Sequence, residues 1–326
     1  MSEIPRGAIR FNTDSNKPEL WDGSQWSEFQ LSTPNLGLGS DTQPGTRGFN
    51  AGGGYQTPNN IIDYFNISST GDAQDFGDLS QARGLNQGFA SSTRGVTLGG
   101  NGGAGQSNHD TIDFVTMAST GDAVDFGNMQ VAVSFSSGLS NATRGVMNGV
   151  SATLDYVTIA STGDAIDFGS TTGIQNNQFS GQIASPVRGI FSGGAPTNNA
   201  INFITIATLG DAQDFGDLLR TGEHGHSGGS NPIRGIYGGG SAGPTNIDYI
   251  TINTLGNAVN FGTLTAATRN HAGCASATRV VFAGRGLSSG DVMDYVQIMT
   301  LGDAVDFGDA TSYHGGAGFS NGHGGL

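Results

Sequence analysis

The sequence predicts an all-β protein: a six-bladed β-propeller closed by a C-terminal strand and preceded by a small N-terminal β-meander. Three observations predict this fold class. The chain repeats one unit six times, each unit contains four short strand-like segments, and 56 of the 326 residues are glycine. Interior glycine weakens a helix by about 1 kcal/mol relative to alanine, whereas tight turns between strands use it readily. No segment has a sustained helical stripe of apolar residues, so we expect almost no helix.

A Gly-(Asp/Asn)-Ala triplet marks every copy of the repeat. Its glycines recur at intervals of 42 to 50 residues: Gly71, Gly121, Gly163, Gly210, Gly256 and Gly302. Eight residues earlier lies a pair containing an aromatic residue: Asp63-Tyr64, Asp113-Phe114, Asp155-Tyr156, Asn202-Phe203, Asp248-Tyr249 and Asp294-Tyr295. An (Asp/Asn)-Phe-Gly follows the triplet, with Phe76, Phe126, Phe168, Phe215, Phe261 and Phe307. An arginine precedes each unit: Arg47, Arg94, Arg144, Arg188, Arg234 and Arg279.

The fifth copy illustrates the four predicted strands. We assign 271–276 to a tightly packed inner strand, 234–240 to an apolar strand, 247–252 to a half-buried strand and 256–262 to a turn with an outer strand. A four-stranded unit of about 46 residues has the length of a propeller blade.

The chain end predicts how the first blade is completed. Residues 313–319 repeat the inner-strand segment after the sixth copy, and the first unit begins at Thr46 without such a segment. We therefore expect the C-terminal strand to complete the first blade, which removes an exposed sheet edge. The segment Leu36–Ser40 competes for the same place.

Residues 1–31 lie outside the repeat. Strands are predicted at 8–12, 19–22 and 25–29, and both tryptophans, Trp21 and Trp26, lie here. A meander this small cannot bury a good core alone, which predicts an attachment or oligomerisation module. We expect it to pack in a homo-oligomer or against a partner protein. Residues 32–45 are then a linker, and residues 46–326 form the propeller.

Charge and composition exclude several classes of function. Asp and Glu total 27 against 13 Lys and Arg, for a net charge of −14, so the chain repels phosphate backbones and we expect no nucleic-acid partner. No apolar stretch reaches membrane-spanning length, and no signal peptide is evident. We therefore expect synthesis in the cytosol and no membrane insertion. The single cysteine, Cys274, cannot form an internal disulfide.

Few residues suggest metal or catalytic chemistry. The sequence Glu223-His224-Gly225-His226 could supply metal ligands, but His226, His271 and His314 occupy the same place in their units, which favours a structural role. Asp-Phe-Gly recurs without the other kinase motifs. The glycine-rich residues 99–105 could suggest a phosphate-binding loop, but no Gly-Lys-Ser/Thr follows them. We interpret them as a loop between strands.

The acidic turn residues Asp72, Asp122, Asp164, Asp211 and Asp303 admit two interpretations. Capping of backbone N–H groups is favoured, and calcium binding stays open. We expect the repeat arginines to bond carbonyls or aspartates between blades, and Cys274 to pack in an inner strand. We predict no catalytic, cofactor or metal site. The loops 104–110 and 241–245 differ most between copies and are the first candidates for ligand binding.

Two regions resemble known families. Glycine pairs after an apolar strand (Gly52-Gly53, Gly99-Gly100, Gly193-Gly194 and Gly238-Gly239), followed by Asp-Tyr strands and Arg269-Asn270-His271, resemble kelch repeats over about residues 46 to 320. The kelch tryptophan is absent, and Asn148-Gly149 replaces one glycine pair. The segments 7–14 and 21–26 resemble a module of bacteriophage tail-fibre proteins. The repeat units also resemble repeats in virion proteins of marine cyanophages.

These resemblances imply a structural virion protein of a tailed bacteriophage, in a tail, a fibre or on the head. The expected activity is host-surface adhesion or virion assembly, with other virion proteins bound through residues 1–31. The expected partner of the propeller is a host surface glycan or protein. The alternative is a polysaccharide-degrading enzyme of the virion, although no pair of carboxylates stands apart from the repeat. A secreted bacterial adhesin is a third possibility, and the missing signal peptide counts against it.

Overall fold

The computed structural model describes residues 5–12, 17–28, 47–54, 57–148, 152–172, 183–193, 198–221, 225–242, 245–285, 290–311 and 315–322. These residues form strands, turns and loops, with no helix among them, so the all-β prediction is confirmed. Contacts divide the chain into two compact units, Met1–Leu38 and Gly39–Leu326. The predicted linker at 32–45 lies outside the described residues.

The N-terminal unit contains a three-stranded antiparallel sheet formed by β1 (Ile9–Asn12), β2 (Lys17–Trp21) and β3 (Trp26–Glu28). Arg10 of β1 contacts both other strands of this sheet. Its Nε donates to Glu19 Oε2 over 2.8 Å, and its guanidinium lies 4.2 Å from the ring centre of Trp26. The Trp21 and Trp26 rings are 5.5 Å apart. The three predicted strands are therefore present, held by one aromatic pair and one arginine.

The second unit contains six four-stranded antiparallel sheets in its described part, here sheets 1 to 6. In hydrogen-bonded order, sheet 1 is β27 (Ala317–Ser320), β4 (Arg47–Ala51), β5 (Ile61–Asn66) and β6 (Gln74–Asp78). Sheet 2 is β7 (Gln87–Ala90), β8 (Arg94–Leu98), β9 (His109–Thr116) and β10 (Val124–Val133). Sheet 3 is β11 (Ser137–Ser140), β12 (Arg144–Asn148), β13 (Thr153–Thr158) and β14 (Ile166–Ser170).

Sheets 4 to 6 repeat this order. Sheet 4 is β15 (Ile183–Ala184), β16 (Arg188–Ser192), β17 (Ala200–Thr205) and β18 (Gln213–Asp217). Sheet 5 is β19 (Ser227–Ser230), β20 (Arg234–Gly238), β21 (Asn246–Thr251) and β22 (Val259–Thr263). Sheet 6 is β23 (Ala272–Ala275), β24 (Arg279–Arg285), β25 (Gly290–Gln297) and β26 (Val305–Asp309). Each sheet thus runs from a short, fully buried first strand to a partly exposed fourth strand.

The two ends of the second unit meet in sheet 1. Strand β27 pairs with β4 as predicted, with Ala317 opposite Ala51 and Ser320 opposite Gly48. The competing segment Leu36–Ser40 lies outside the described residues. One assignment was wrong: residues 271–276 do not belong to the fifth unit, because β23 pairs with β24 of sheet 6. In sheets 2 to 6, each first strand pairs with the arginine-bearing strand that follows it in the chain, since a short connection brings those two strands together.

Among the described residues, six hydrophobic clusters fill the space between sheets. Each cluster joins two sheets: 1 and 2, 2 and 3, 3 and 4, 4 and 5, 5 and 6, and finally 6 and 1. In the last of these, Phe65 of sheet 1 packs with Cys274 and Phe307 of sheet 6. The phenylalanine of each Asp-Phe-Gly is buried at such a contact. The apolar faces of the sheets therefore cover one another.

The Gly-Asp-Ala turn fastens each sheet to the preceding one. In sheet 2, the Gly121 N–H donates to the Phe76 carbonyl over 2.8 Å, and the Ala123 N–H donates to the Asp78 carbonyl over 2.7 Å. Equivalent bonds recur at all six turns. The turn of sheet 1 bonds to sheet 6, where the Gly71 N–H donates to the Phe307 carbonyl over 2.8 Å. The bonds between sheets therefore return from sheet 6 to sheet 1.

The glycine of Asp-Phe-Gly makes this approach possible. Gly77 has a φ of +149°, and a Cβ atom there would lie 2.5 Å from the Gly121 carbonyl oxygen. Any other residue would push the turn of the next sheet away. The repeated Asp-Phe-Gly is thus a packing motif, in which phenylalanine fills the interface and glycine admits the neighbouring backbone.

A second contact places a first-strand side chain against a glycine of the next sheet. A Cβ on Gly145 would lie 2.0 Å from Phe89, one on Gly95 would lie 2.0 Å from Phe319, and one on Gly189 would lie 2.4 Å from Leu139. Between sheets 5 and 6 the large and small residues change places. The first strand of sheet 5 has the glycine, Gly229, and sheet 6 has the larger side chain, Val280, with 3.3 Å between a Cβ on Gly229 and the valine methyl groups. At each of these contacts one of the two facing residues is therefore glycine, and it can belong to either sheet.

This size rule predicts a rescue between Ile183 and Gly235, where a Cβ on the glycine would lie 2.4 Å from the isoleucine. Gly235→Val should destabilise the protein by about 1–3 kcal/mol through overpacking. Ile183→Gly alone should cost about 2–5 kcal/mol through the cavity it leaves. The double variant recreates the Gly229–Val280 arrangement and should recover about 1–3 kcal/mol relative to the sum of the two losses. Urea unfolding of the four proteins measures this coupling, and purely additive losses would contradict the size rule.

Candidate functional site

Each repeat arginine connects its own sheet to the next one. The guanidinium lies over the third-strand aromatic ring of its own sheet, 4.3 to 5.2 Å from the ring centre. Its Nη1 donates to a backbone carbonyl of the following sheet, as Arg234 does to Ile298 over 3.0 Å. Arg279 of sheet 6 donates to Ile67 of sheet 1 over 3.2 Å. These contacts agree with the predicted bonding of the arginines to carbonyls of a neighbouring unit.

The acidic turn residues accept hydrogen bonds across the interfaces between sheets. The acceptor oxygens lie 2.9 to 3.1 Å from a backbone nitrogen of the preceding fourth strand, in six pairs: Asp72 with Asp309, Asp122 with Asp78, Asp164 with Asn128, Asp211 with Ser170, Asn257 with Asp217, and Asp303 with Thr263. An amide oxygen serves as well as a carboxylate, which explains Asn257. The predicted capping is therefore present, and it acts between sheets. In the described part of the chain, no group of three or more His, Cys, Asp or Glu side chains is arranged to hold a metal ion.

A buried ion pair lies between sheets 1 and 2. Arg83 Nη2 is 2.6 Å from Asp113 Oδ2, and both side chains are fully buried. Arg83 also donates to the Thr111 carbonyl and the Thr97 hydroxyl. Burial lowers the pKa of Arg83, and the neighbouring Asp113 opposes that shift. The sequence pattern does not indicate this pair, because Arg83 stands outside the repeat.

The third-strand aspartates are held in a similar way. Ser80 donates to Asp113 over 2.7 Å through its hydroxyl group, and Thr265 donates to Asp294. In each pair the donor belongs to the connection after the fourth strand of the preceding sheet. These carboxylates therefore fix that connection, which is a structural role.

The histidine and cysteine candidates lie in the interior. His226 and His271 are buried, and His226 Nε2 lies 3.1 Å from the Ser192 hydroxyl group. Cys274 is buried and donates to the Phe49 carbonyl; burial raises the pKa of its thiol to about 12. Packing explains these positions, as the repeat predicts. Glu223, His224 and His314 lie outside the described residues.

The loops predicted for ligand binding are surface segments. Residues 104–108 are exposed in the connection between β8 and β9, and residues 99–105 form part of the same loop. In the second loop, Ser241 and Ala242 are partly or fully exposed, and residues 243–244 lie outside the described residues. The structure has a distinct concave feature elsewhere, on the first copy of the repeat.

A cleft of about 550 Å³ is lined by Arg47 and by residues 64–66 and 69–74. The phenol group of Tyr64 donates to Gln74 over 2.8 Å, and Asn66 accepts from the Ser68 N–H over 2.9 Å. The side-chain nitrogens, Nδ2 of Asn66 and Nε2 of Gln74, donate no hydrogen bond to another described residue. The volume lies in the range of small-molecule sites. The repeat pattern alone does not indicate the cleft, although Asn66 and Gln74 both depart from the residues most common at their repeat positions.

Comparison with known proteins leaves the family open. No protein-family model matches the chain, and no curated protein matches it. Within the described residues, no helix has the length and apolar character needed to cross a membrane.

Asp155 provides a pH-dependent test of the third-strand aspartates. Burial first, and then the nearby Asp167, raise the pKa of Asp155 above its ordinary value of 3.8, while the Gln130 N–H opposes them. A raised carboxyl pKa means that the folded protein binds more protons than the unfolded chain. Asp155 therefore lowers stability as pH rises from about its unfolded pKa through its raised folded pKa.

Asp155→Asn should accordingly raise the thermal unfolding midpoint at pH 7 and give a smaller gain near pH 4. The fourth copy already has asparagine at this position, Asn202, so the substitution suits the fold. Thermal melts of both proteins at the two pH values measure the effect. Asp167→Asn is the matched control, because it removes the same repulsion without changing the buried group. A stabilisation by Asp155→Asn that is independent of pH would contradict the argument.

Proposed function

We propose that this chain is a non-enzymatic structural protein of a tailed-bacteriophage virion, in which the Gly39–Leu326 unit is a six-bladed, kelch-like β-propeller used for host-surface adhesion or virion assembly. The observation that carries the propeller is the return of the inter-sheet contacts from sheet 6 to sheet 1. Hydrogen bonds, an arginine contact and a hydrophobic cluster all make that return. An open stack of sheets would leave its first and last members uncovered.

The repeated polar residues support a scaffold more than a catalyst. The turn aspartates, the repeat arginines and the third-strand aspartates all bond across interfaces between sheets. Carboxylate pairs suitable for glycoside cleavage would need freedom to contact a substrate. The directly paired aspartates, such as Asp155 and Asp167, recur in sheets 1, 2, 3 and 6 at equivalent places. This repetition favours a structural role for the paired aspartates. The alternative function is that of a polysaccharide-degrading enzyme, which the release of reducing ends would distinguish from an adhesion protein.

The virion assignment rests on the N-terminal segment and on the repeat type. Residues 7–14 and 21–26 are similar to a tail-fibre module, and the repeats are similar to those of cyanophage virion proteins. The described N-terminal sheet has only three short strands, and such a small sheet suits a module that packs against a partner or another copy. The acidic, lysine-poor composition agrees with a saline environment. A rigid scaffold with variable loops is a common way to present a binding surface.

Immunogold labelling of purified particles tests the location of the protein. We expect an antibody against the chain to label intact virions, and mass spectrometry to recover its peptides from banded particles. The same antibody should reduce adsorption of particles to host cells if the propeller serves adhesion. Purified particles that lack the chain would overturn the virion proposal. New reducing ends after incubation of the pure protein with host polysaccharide would favour the enzyme instead.

A further inference from the structure

The cleft on the first copy has an unusual set of side chains for its place in the repeat. At the position of Gln74 the second, third, fifth and sixth copies have valine or isoleucine, and at the position of Thr70 the last three copies have leucine. Where Asn66 stands, four copies have threonine. The fourth copy has a glutamine, Gln213, but combines it with a leucine and with phenylalanine in place of Tyr64. Only the first copy therefore combines a phenol, two amides and a threonine around this groove.

The arginine of the first copy is also displaced. Arg47 lies 5.2 Å from the ring centre of Tyr64, whereas the other five repeat arginines lie 4.3 to 4.8 Å from their rings. Arg47 keeps its bond to the Met117 carbonyl over 2.7 Å. The half-buried Tyr64 ring is therefore less closely covered than its counterparts, at the place where the cleft occurs.

The chemistry of the cleft is balanced between donors and acceptors. Amides and hydroxyl groups both donate and accept hydrogen bonds, and a carboxylate accepts only. Asn66, Ser69, Thr70 and Gln74 supply the first kind of group, and Asp72 supplies the second. A saccharide presents the matching pattern, since each hydroxyl group donates and accepts and the ring carbons form apolar patches. The exposed side of Tyr64 suits such a patch.

Charge restricts the saccharide to a neutral one. Asp72 lies at the contact with sheet 6, where its carboxylate accepts a hydrogen bond from the Asp309 N–H over 3.1 Å. Burial first, and then the carboxylates of Asp291, Asp72 and Asp306, raise the pKa of Asp309, so negative charges repel one another at this contact. Among the described residues that line the cleft, Arg47 is the single cation. An acidic sugar would enter a net negative field, whereas a neutral sugar meets no such cost.

We propose that the first-copy cleft binds a neutral saccharide unit, such as a hexose or an N-acetylhexosamine of a polysaccharide. This proposal rests on the adhesion function proposed above and names its ligand class. The cleft then gives the protein one specific subsite on an otherwise repetitive surface. Tyr64 provides the apolar contact, and Asn66, Thr70 and Gln74 select the hydroxyl pattern.

Binding of defined sugars to the purified full-length chain tests the proposal. The probes are glucose, galactose, mannose, N-acetylglucosamine and their short oligomers, with glucuronic acid and N-acetylneuraminic acid as anionic probes. Saturation-transfer NMR detects weak binding of each probe at concentrations up to about 10 mM. We expect at least one neutral probe to bind and the acidic probes to bind more weakly.

The decisive variant replaces two cleft residues of the first copy by those at the equivalent positions of the second copy. Asn66→Thr with Gln74→Val introduces side chains that the chain already uses at Thr116 and Val124, so the fold should be kept, which a thermal melt verifies. Loss of two hydrogen-bonding amides should weaken binding by about tenfold or more. The matched control is Val124→Gln in the second copy, which should leave binding unchanged.

Three results would overturn the proposal: no neutral probe binds, acidic probes bind more tightly, or the double variant binds as well as the parent. None of these bears on the virion location, which labelling of particles measures separately. Labelled particles with a saccharide-negative protein would therefore reject the cleft as a sugar site and leave the proposed virion role standing.

Discussion

Close approach of one sheet's backbone to the next is the constraint on which the rest of this structure depends. It requires glycine at the end of each Asp-Phe-Gly, because the neighbouring turn lies where a Cβ atom would be. Gly77 and Gly121 show the contact at its simplest, with 2.5 Å between the built Cβ and the carbonyl oxygen. Once the backbones are this close, the turn amides, the turn aspartate and the arginine all reach partners across the gap. The large number of glycines therefore reflects interfaces as much as turns.

The same constraint explains why so many conspicuous residues have structural partners. The Asp-Phe-Gly, the acidic turns and the repeat arginines each occur once per sheet, and each contacts the adjacent sheet. Repetition of a polar residue in every unit is thus better explained by a repeated interface than by six active sites. Departures from the repeat are the more informative positions for function. Asn66 and Gln74 are such departures, and they lie together in the cleft.

Much of the fold followed from the sequence, because periodic glycines and alternating strands report local backbone geometry directly. The four strands per unit and the pairing of β27 with β4 could both be predicted in this way. The assignment of residues 271–276 to the fifth unit failed, since a repeat has no intrinsic starting point and only hydrogen bonding decides which neighbour a strand joins. The buried ion pair of Arg83 could not be predicted for another reason. The partners of Arg83, which are Thr97, Thr111 and Asp113, come together only in the folded protein. The exchange of sizes between Gly229 and Val280 also needed three-dimensional contacts, because the two residues belong to different sheets.

The pairing of β27 with β4 has a consequence for biosynthesis. Strand β27 pairs with β4 from Ala317 opposite Ala51 to Ser320 opposite Gly48, and the side chain of Asn321, just after β27, accepts a hydrogen bond from the Arg47 N–H. Sheet 1 therefore needs both ends of the second unit. During translation, sheets 2 to 6 can form from neighbouring segments as they emerge, whereas sheet 1 must wait for residues 317–320 to leave the ribosome. Until then β4 has an unpaired edge that can join another nascent chain. Completion of sheet 1 is therefore a long-range step, and β4 can mispair with another copy of the chain until that step has occurred.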